Sequence, residues 1–189
     1  MKKGSLFGYI ARITGVLLII SVVVAAALAF VNSVTAPIIA QSTAEKTQKA
    51  IALVLPGGYE ETLSQFPDDT GLVRCVYKGS QGYALEVTPA GFDNTITMMV
   101  GVNHEGKVLG ISIISHTESA GLGAVAASDN AAGQKFRSEF VGLSGTVAVI
   151  KDGGTVDAVA NATITSRAVC DGVNAALACV QALNEEVAK

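Results

Sequence analysis

The feature that most constrains this chain is a charge-free run near its start. Residues 13–44 contain no Asp, Glu, Lys or Arg, and residues 15–31 are apolar but for Ser21. A helix needs ~20 apolar residues to cross a bilayer, so the run and its flanks are long enough to span one. Lys2, Lys3 and Arg12 precede it, and no cation follows until Lys46. The positive-inside bias then puts the N-terminus in the cytoplasm and everything after the run outside. A cleaved signal peptide would share the basic start and the small residues at 25–29, but its apolar region is only about 7–15 residues long. This one continues through Pro37, Ile38 and Ile39 without a charge. The expectation is a retained single-pass anchor in the cell (inner or cytoplasmic) membrane. It divides the chain into a cytoplasmic N-terminus (1–12), a transmembrane helix (13–35), a juxtamembrane helix (36–56) and an extracytoplasmic domain (57–189).

The charge balance bears on partners. The chain has 13 Lys and Arg against 16 Asp and Glu, a formal net charge of −3. Three of those cations precede the apolar run, so the remainder is more acidic than the whole. An acidic domain lacks the basic face that a nucleic acid requires, and the expected partners are the lipid bilayer and other proteins. Cys75, Cys170 and Cys179 match no metal-site spacing. Cys170 and Cys179 are half a turn out of phase on one expected helix and cannot bridge. All three read as small buried hydrophobes.

Past the run, residues 41–55 read as a helix that lines up Ala44, Thr47, Ile51 and Val54 and stops at Pro56-Gly57-Gly58. The period then changes. Residues 72–77, 83–89, 95–102 and 108–115 are short runs rich in Val, Ile, Thr and Tyr, separated by turn residues. Connections this short favour an antiparallel meander. Met98, Val100 and Val102 can share one face, as can Leu109, Ile111 and Ile113. Residues 124–140 read as helical, and Val147-Ala148-Val149-Ile150 as one more strand. From about Thr165 to Val187, Val169, Val173, Leu177, Val180 and Leu183 recur at helical spacing. The expected fold class is α+β: one N-terminal transmembrane helix, then an antiparallel sheet with helices packed on one face.

Two segments are hard to explain as scaffold. The first, residues 157–167, is a run of small and hydroxylic residues leading into the last helix. The first turn of a helix leaves N–H groups unpaired and carries partial positive charge, so it stabilises a phosphate. Thr163, Thr165 and Ser166 supply hydroxyls, and a phosphate nearby would remove the dipole penalty on Arg167. On the residues alone, an ordinary N-cap with a solvated Arg167 explains the same pattern. The second segment is His116-Thr117-Glu118-Ser119-Ala120-Gly121-Leu122-Gly123. Its glycines let backbone N–H groups approach a flat ring, Leu122 offers an apolar contact and Glu118 an acceptor. A glycine-containing turn with a surface His and Glu is the bland alternative. No zinc-type cluster, phosphate-binding glycine loop or Ser-His-Asp arrangement is visible.

Taken together, the segments resemble a known family: the FMN-binding subunits of the Rnf and Na⁺-translocating NADH:quinone reductase complexes. There an Asp precedes a Ser/Thr-Gly-Ala-Thr run, and a flavin transferase joins FMN to the last Thr by a phosphoester bond. Asp157, Ala162 and Thr163 match that motif, and Thr165-Ser166 follow it as in the family. Ala160 and Asn161 depart from the usual Ser/Thr and Gly. Asn is the side chain that best tolerates a left-handed backbone. The loop resembles the family's His-x-Glu-Thr-Pro-Gly-Leu-Gly, with Ser119-Ala120 for Thr-Pro. Gly82-Tyr83 and Gly106-Lys107-Val108-Leu109-Gly110-Ile111 also match, and the run after Thr163 is nearer to the Rnf branch of the family.

The resemblance implies a redox-carrier subunit rather than an enzyme on its own, with covalent FMN on Thr163. The complex would couple ferredoxin:NAD⁺ oxidoreduction to ion translocation. Asp157, Asn161, Ala162, Thr165, Ser166, His116, Glu118, Gly121, Leu122 and Gly123 would form the cofactor site, with His116 orienting the loop through a hydrogen bond. Implied partners are a second flavin-bearing membrane subunit, other subunits of the complex, and a flavin transferase for maturation. The competing readings are a pilin-like or other membrane-anchored structural protein without a redox cofactor, and a tethered module holding FMN noncovalently.

Overall fold

The computed structural model describes residues 3–187, in two compact units that meet between Ala44 and Glu45. The first is helical, the leading part of α1 (Lys3–Val54). Its large apolar side chains from Tyr9 to Ile39 are exposed, and among the described residues it is the one helix long and apolar enough to cross a membrane. Its hydroxyls are satisfied locally: Ser33 Oγ donates to the Phe30 carbonyl at 2.8 Å, and Thr35 and Thr43 donate to the carbonyls of Val31 and Ile39, both at 2.9 Å. Such back-bonding leaves few polar groups for an apolar surrounding to desolvate. Pro37 lies inside the helix, which continues past it to Val54. One helix, α1, therefore stands where the sequence predicts separate spanning and juxtamembrane helices.

The second unit has the expected α+β class. Its sheet is an antiparallel meander in the order β1 (Glu61–Leu63), β2 (Val73–Gly79), β3 (Gly82–Val87), β4 (Thr97–Asn103) and β5 (Val108–Ser115). After β5 come a short 3₁₀ helix (Gly123–Ala127), α2 (Ala131–Ser138), a 3₁₀ turn (Ile150–Asp152) and α3 (Thr163–Val187). The main core joins one sheet face to α2 and α3. Met98, Val100 and Val102 share it, as their alternation predicts, and meet Val169, Val173, Leu177 and Val180 of α3.

Three expectations are corrected here. Leu109 does not share a face with Ile111 and Ile113, because Val102 pairs with Val108 while Gly101 pairs with Gly110, and the bulge turns Leu109 to the other side. That other side is not open: Ala50, Ile51, Val54 and Leu55 pack there against Ala84 and Met99, so helices cover both faces. Gly101 permits the approach, since a Cβ there would strike the Val54 carbonyl. Finally, residues 147–150 form no strand. Val149 makes a single parallel bridge to Val156 before the chain folds back through Gly153, left-handed at φ 85°.

Cys170 and Cys179 are buried and unbridged, and Cys75 is half-buried. Burial pushes the Cys170 thiol up to about 12 and the Cys179 thiol up to about 11, so both stay protonated and inert.

Candidate functional site

The start of α3 is built by its own sequence. Asn161 is left-handed at φ 58°, the one non-glycine residue with positive φ among those described, so the reading of Asn in place of Gly agrees with the backbone it takes. Ala162 N donates to the Val159 carbonyl at 3.0 Å, closing the turn. The first helical bond runs from Ser166 N to the Ala162 carbonyl at 3.0 Å, so the N–H groups of Thr163, Ile164 and Thr165 precede the hydrogen-bond ladder. The buried Ser166 hydroxyl donates to the Ala162 carbonyl and accepts from Val159 N, each at 3.0 Å. It staples the turn from beneath and does not reach the surface.

The two threonines of this turn have opposite fates. The Thr165 hydroxyl is buried and donates to Glu118 Oε2. The half-buried Thr163 hydroxyl accepts from Lys151 Nζ at 3.3 Å and faces a cavity of about 360 Å³. Of the residues singled out in the sequence, Thr163, Asn161, Ala162, Thr165, Glu118, Leu122 and Gly123 line this cavity. Asp157, Ser166, His116 and Gly121 do not.

Glu118 organises the cavity floor. Its Oε1 accepts from Phe92 N at 2.8 Å and Asp93 N at 3.4 Å, while Oε2 takes the Thr165 hydroxyl. One buried carboxylate thus ties the β3–β4 loop, the loop after β5 and the first turn of α3 together. Two glycines make way for it: a Cβ on Gly91 would strike Oε1, and one on Gly123 would strike Oε2. No protein hydrogen bond from His116 is seen among the described residues, and its Nδ1 is buried without a partner. Glu118 orients the loop. A turn from Ser119 to Leu122 (N to carbonyl 3.2 Å), with Gly121 left-handed at φ 76°, then carries Leu122 to the cavity.

Asp157 stands apart on the surface. Its carboxylate meets Lys135 Nζ at 3.4 Å, and its N–H donates to Glu139 Oε2 at 2.6 Å. It lines a second cavity, which Thr163, Lys151 and Asn161 border as well. Arg167, expected near a phosphate, is engaged elsewhere: its guanidinium grips Asp152 through two bonds of 2.7 Å, which hold that carboxyl below its ordinary range. Phe92, Ile164 and Lys151 also line the cavity and were not singled out in the sequence. The signal for Phe92 was a bulky aromatic in the polar turn Gly91-Phe92-Asp93-Asn94. Phe92, Leu122 and Ile164 are exposed by 65%, 42% and 50%, apolar surface that a flat ring could cover.

The cavity at the start of α3 belongs to an α+β domain, and residues 91–178 of that domain match the model of the FMN-binding domain. Over 184 residues the chain is 30% identical to the G subunit of the ion-translocating oxidoreductase complex of Methanosarcina acetivorans, covering 92% of this chain and 95% of that one. It is also 30% identical over 191 residues to the G subunit of the Na(+)-translocating ferredoxin:NAD(+) oxidoreductase complex of Acetobacterium woodii, covering 90% and 91%. To the G subunit of the proton-translocating ferredoxin:NAD(+) oxidoreductase complex of Clostridium ljungdahlii it is 36% identical over 99 residues, half of each chain (50% and 51%). The chain belongs to the family of G subunits of Rnf-type ion-translocating oxidoreductase complexes.

Proposed function

We propose that the protein is an electron-transfer subunit whose FMN is esterified through its phosphate to Thr163. It would work in a membrane complex that couples ferredoxin:NAD⁺ oxidoreduction to ion translocation. The observation that carries this reading is the Thr163 hydroxyl itself: both threonines in the first turn of α3 border the cavity, but the buried Thr165 hydroxyl donates to Glu118, whereas that of Thr163 only accepts, from Lys151, and keeps its proton free. FMN, when bound, supplies one- and two-electron redox chemistry at its ring. The chain supplies everything else. Thr163 provides the tether, the first N–H groups of α3 receive phosphate oxygens, and Phe92, Leu122 and Ile164 offer apolar contact to the ring. Glu118, with both oxygens engaged by the protein, positions this wall. Asn161 and Ala162 shape the approach to Thr163. Ser166 and Gly121 set the backbone around it, and Asp157 lies on the outer side, within reach of a flavin transferase.

Attachment needs an activated donor, since a free phosphate monoester does not esterify an alcohol in water. The donor class is a flavin dinucleotide. The Thr163 Oγ–P bond forms, the phosphoanhydride bond breaks, the second nucleotide leaves, and the hydroxyl proton passes to a base on the transferase. A covalent tether makes retention independent of affinity, which suits a domain outside the cytoplasm from which free FMN would be lost. The cations Lys2, Lys3 and Arg12, all ahead of the charge-free run, would put the N-terminus inside and the domain outside. Its neighbours would then be the other subunits of the complex, including a second flavin-bearing membrane subunit.

The test is in-gel flavin fluorescence after denaturation, with a flavin transferase co-expressed. The wild-type band fluoresces and Thr163→Ala is dark. A fluorescent Thr163→Ala band refutes the assignment.

A further inference from the structure

We infer that Lys151 is the counter-ion of the phosphate and the group that holds the acceptor hydroxyl for its transfer, an inference that rests on Thr163 being the flavin acceptor. Three observations carry it. Lys151 Nζ already donates to Thr163 Oγ1 at 3.3 Å, so one lone pair of the oxygen is held by an ammonium and its proton points elsewhere. Lys151 also borders both of the cavities that Thr163 lines. Finally, the other cations nearby are spoken for. Arg167 is clamped on Asp152, and Lys135 pairs with Glu139 and Asp157. Among the described residues Lys151 has no carboxylate within ion-pair distance, although it sits beside Asp152 in sequence and adds to the field that lowers that carboxyl.

The backbone presents this lysine rigidly. The 3₁₀ turn Ile150–Asp152 is pinned by Ile150 N to the Val156 carbonyl at 2.9 Å and by Gly154 N to the Val149 carbonyl at 3.1 Å. Gly154 is packed so closely on the Ala148 carbonyl that a Cβ would strike it. A phosphodiester joining Thr163 to a flavin carries one negative charge, and one lysine matches it. In the free chain the ammonium holds Oγ1 in place. As the Oγ–P bond forms, that hydrogen bond transfers to a non-bridging oxygen, where charge is concentrated.

The experiment uses the full-length chain in detergent, treated with a flavin transferase and flavin adenine dinucleotide. Covalent flavin is followed over time by intact mass at several salt concentrations. Lys151→Met should slow incorporation roughly tenfold or more, the range for one charge-assisted hydrogen bond. Lys151→Arg should retain most of the rate. Lys107→Met, a lysine of the β4–β5 turn, should match the wild type. The wild-type rate should fall with salt, while the Lys151→Met rate should be nearly flat, a difference that a merely structural role would not produce. A modified wild type alongside Lys151→Met with the same rate and the same salt dependence overturns the role of Lys151 alone. A wild type that gains no flavin mass overturns the acceptor assignment, and the role of Lys151 with it.

Discussion

Two of the hollows along α3 differ in size and in which polar groups they leave without full partners. The one beside its second half, about 770 Å³, is bordered by Asn174, Leu177, Gln181 and Asn184 of the helix and by the loops at 104–106 and 144–146. Its main polar groups are already engaged: Asn174 accepts from Val147 N and donates to the Val147 carbonyl, both at 2.8 Å, and Asn184 donates to the His104 carbonyl at 2.9 Å. The smaller hollow at the first turn is floored by a satisfied carboxylate, but it leaves a hydroxyl, a cation and the first N–H groups of a helix available. Volume measures where side chains fail to meet. Chemistry is set by which polar groups remain without full partners.

The sharpest way to break this contrast is Glu118→Ala. Removing the carboxylate leaves Phe92 N and the Thr165 hydroxyl without their acceptor and opens a gap between three segments. Loss of buried bonds to a charged acceptor should cost about 2–4 kcal/mol. Denaturant unfolding of the domain, followed by near-UV circular dichroism, measures the cost, and covalent flavin should fall with it. If flavin loading and stability are both unchanged, the carboxylate does not hold the cavity together.

Asn174→Ala is the matched change in the other hollow. It leaves both polar groups of Val147 unpaired, at a cost of about 1–3 kcal/mol. Flavin loading of the folded fraction should nonetheless equal the wild type, because nothing at Thr163 depends on Asn174. A loading defect at full folding would join the two hollows into one site and end the contrast.

Much of this arrangement was legible in the sequence, and the parts that were not share a physical cause. Alternation gave β2 to β5 within a residue or two, because a strand packed on a core must repeat every second residue. The terminal helix was legible from its apolar period, to within two residues at its start. The β1 strand was not, since three residues, Glu61-Thr62-Leu63, carry no period. Nor was the bulge that turns Leu109, because it is a property of strand pairing and not of one strand. The site behaved likewise: Glu118, Leu122, Gly123, Asn161, Ala162, Thr163 and Thr165 lie in two segments that stood out in the sequence, and the fold brings those segments around one cavity. Lys151 and Phe92 reach the cavity from elements 12 and 71 residues before Thr163, and only the fold brings them there. Arg167 shows the converse, because its adjacency to Thr163 in sequence pointed to a phosphate while the fold delivered Asp152 to it.

The smallest effect tests the backbone of the smaller hollow alone. Asn161 holds φ 58° just before α3, where glycine is free and asparagine is tolerated, but a β-branched residue is strained. Asn161→Gly should therefore shift stability by no more than about 0.5 kcal/mol, relief of strain offsetting the added freedom of the unfolded chain. Asn161→Val should cost about 1–2 kcal/mol and slow flavin incorporation, because the turn that aims Thr163 must distort to accommodate it. Paired unfolding curves and loading time courses for the two variants separate backbone from side chain. If valine proves as good as glycine on both measures, the left-handed turn is not what presents the acceptor. The difference between the hollows would then reduce to the hydroxyl and the lysine beside it.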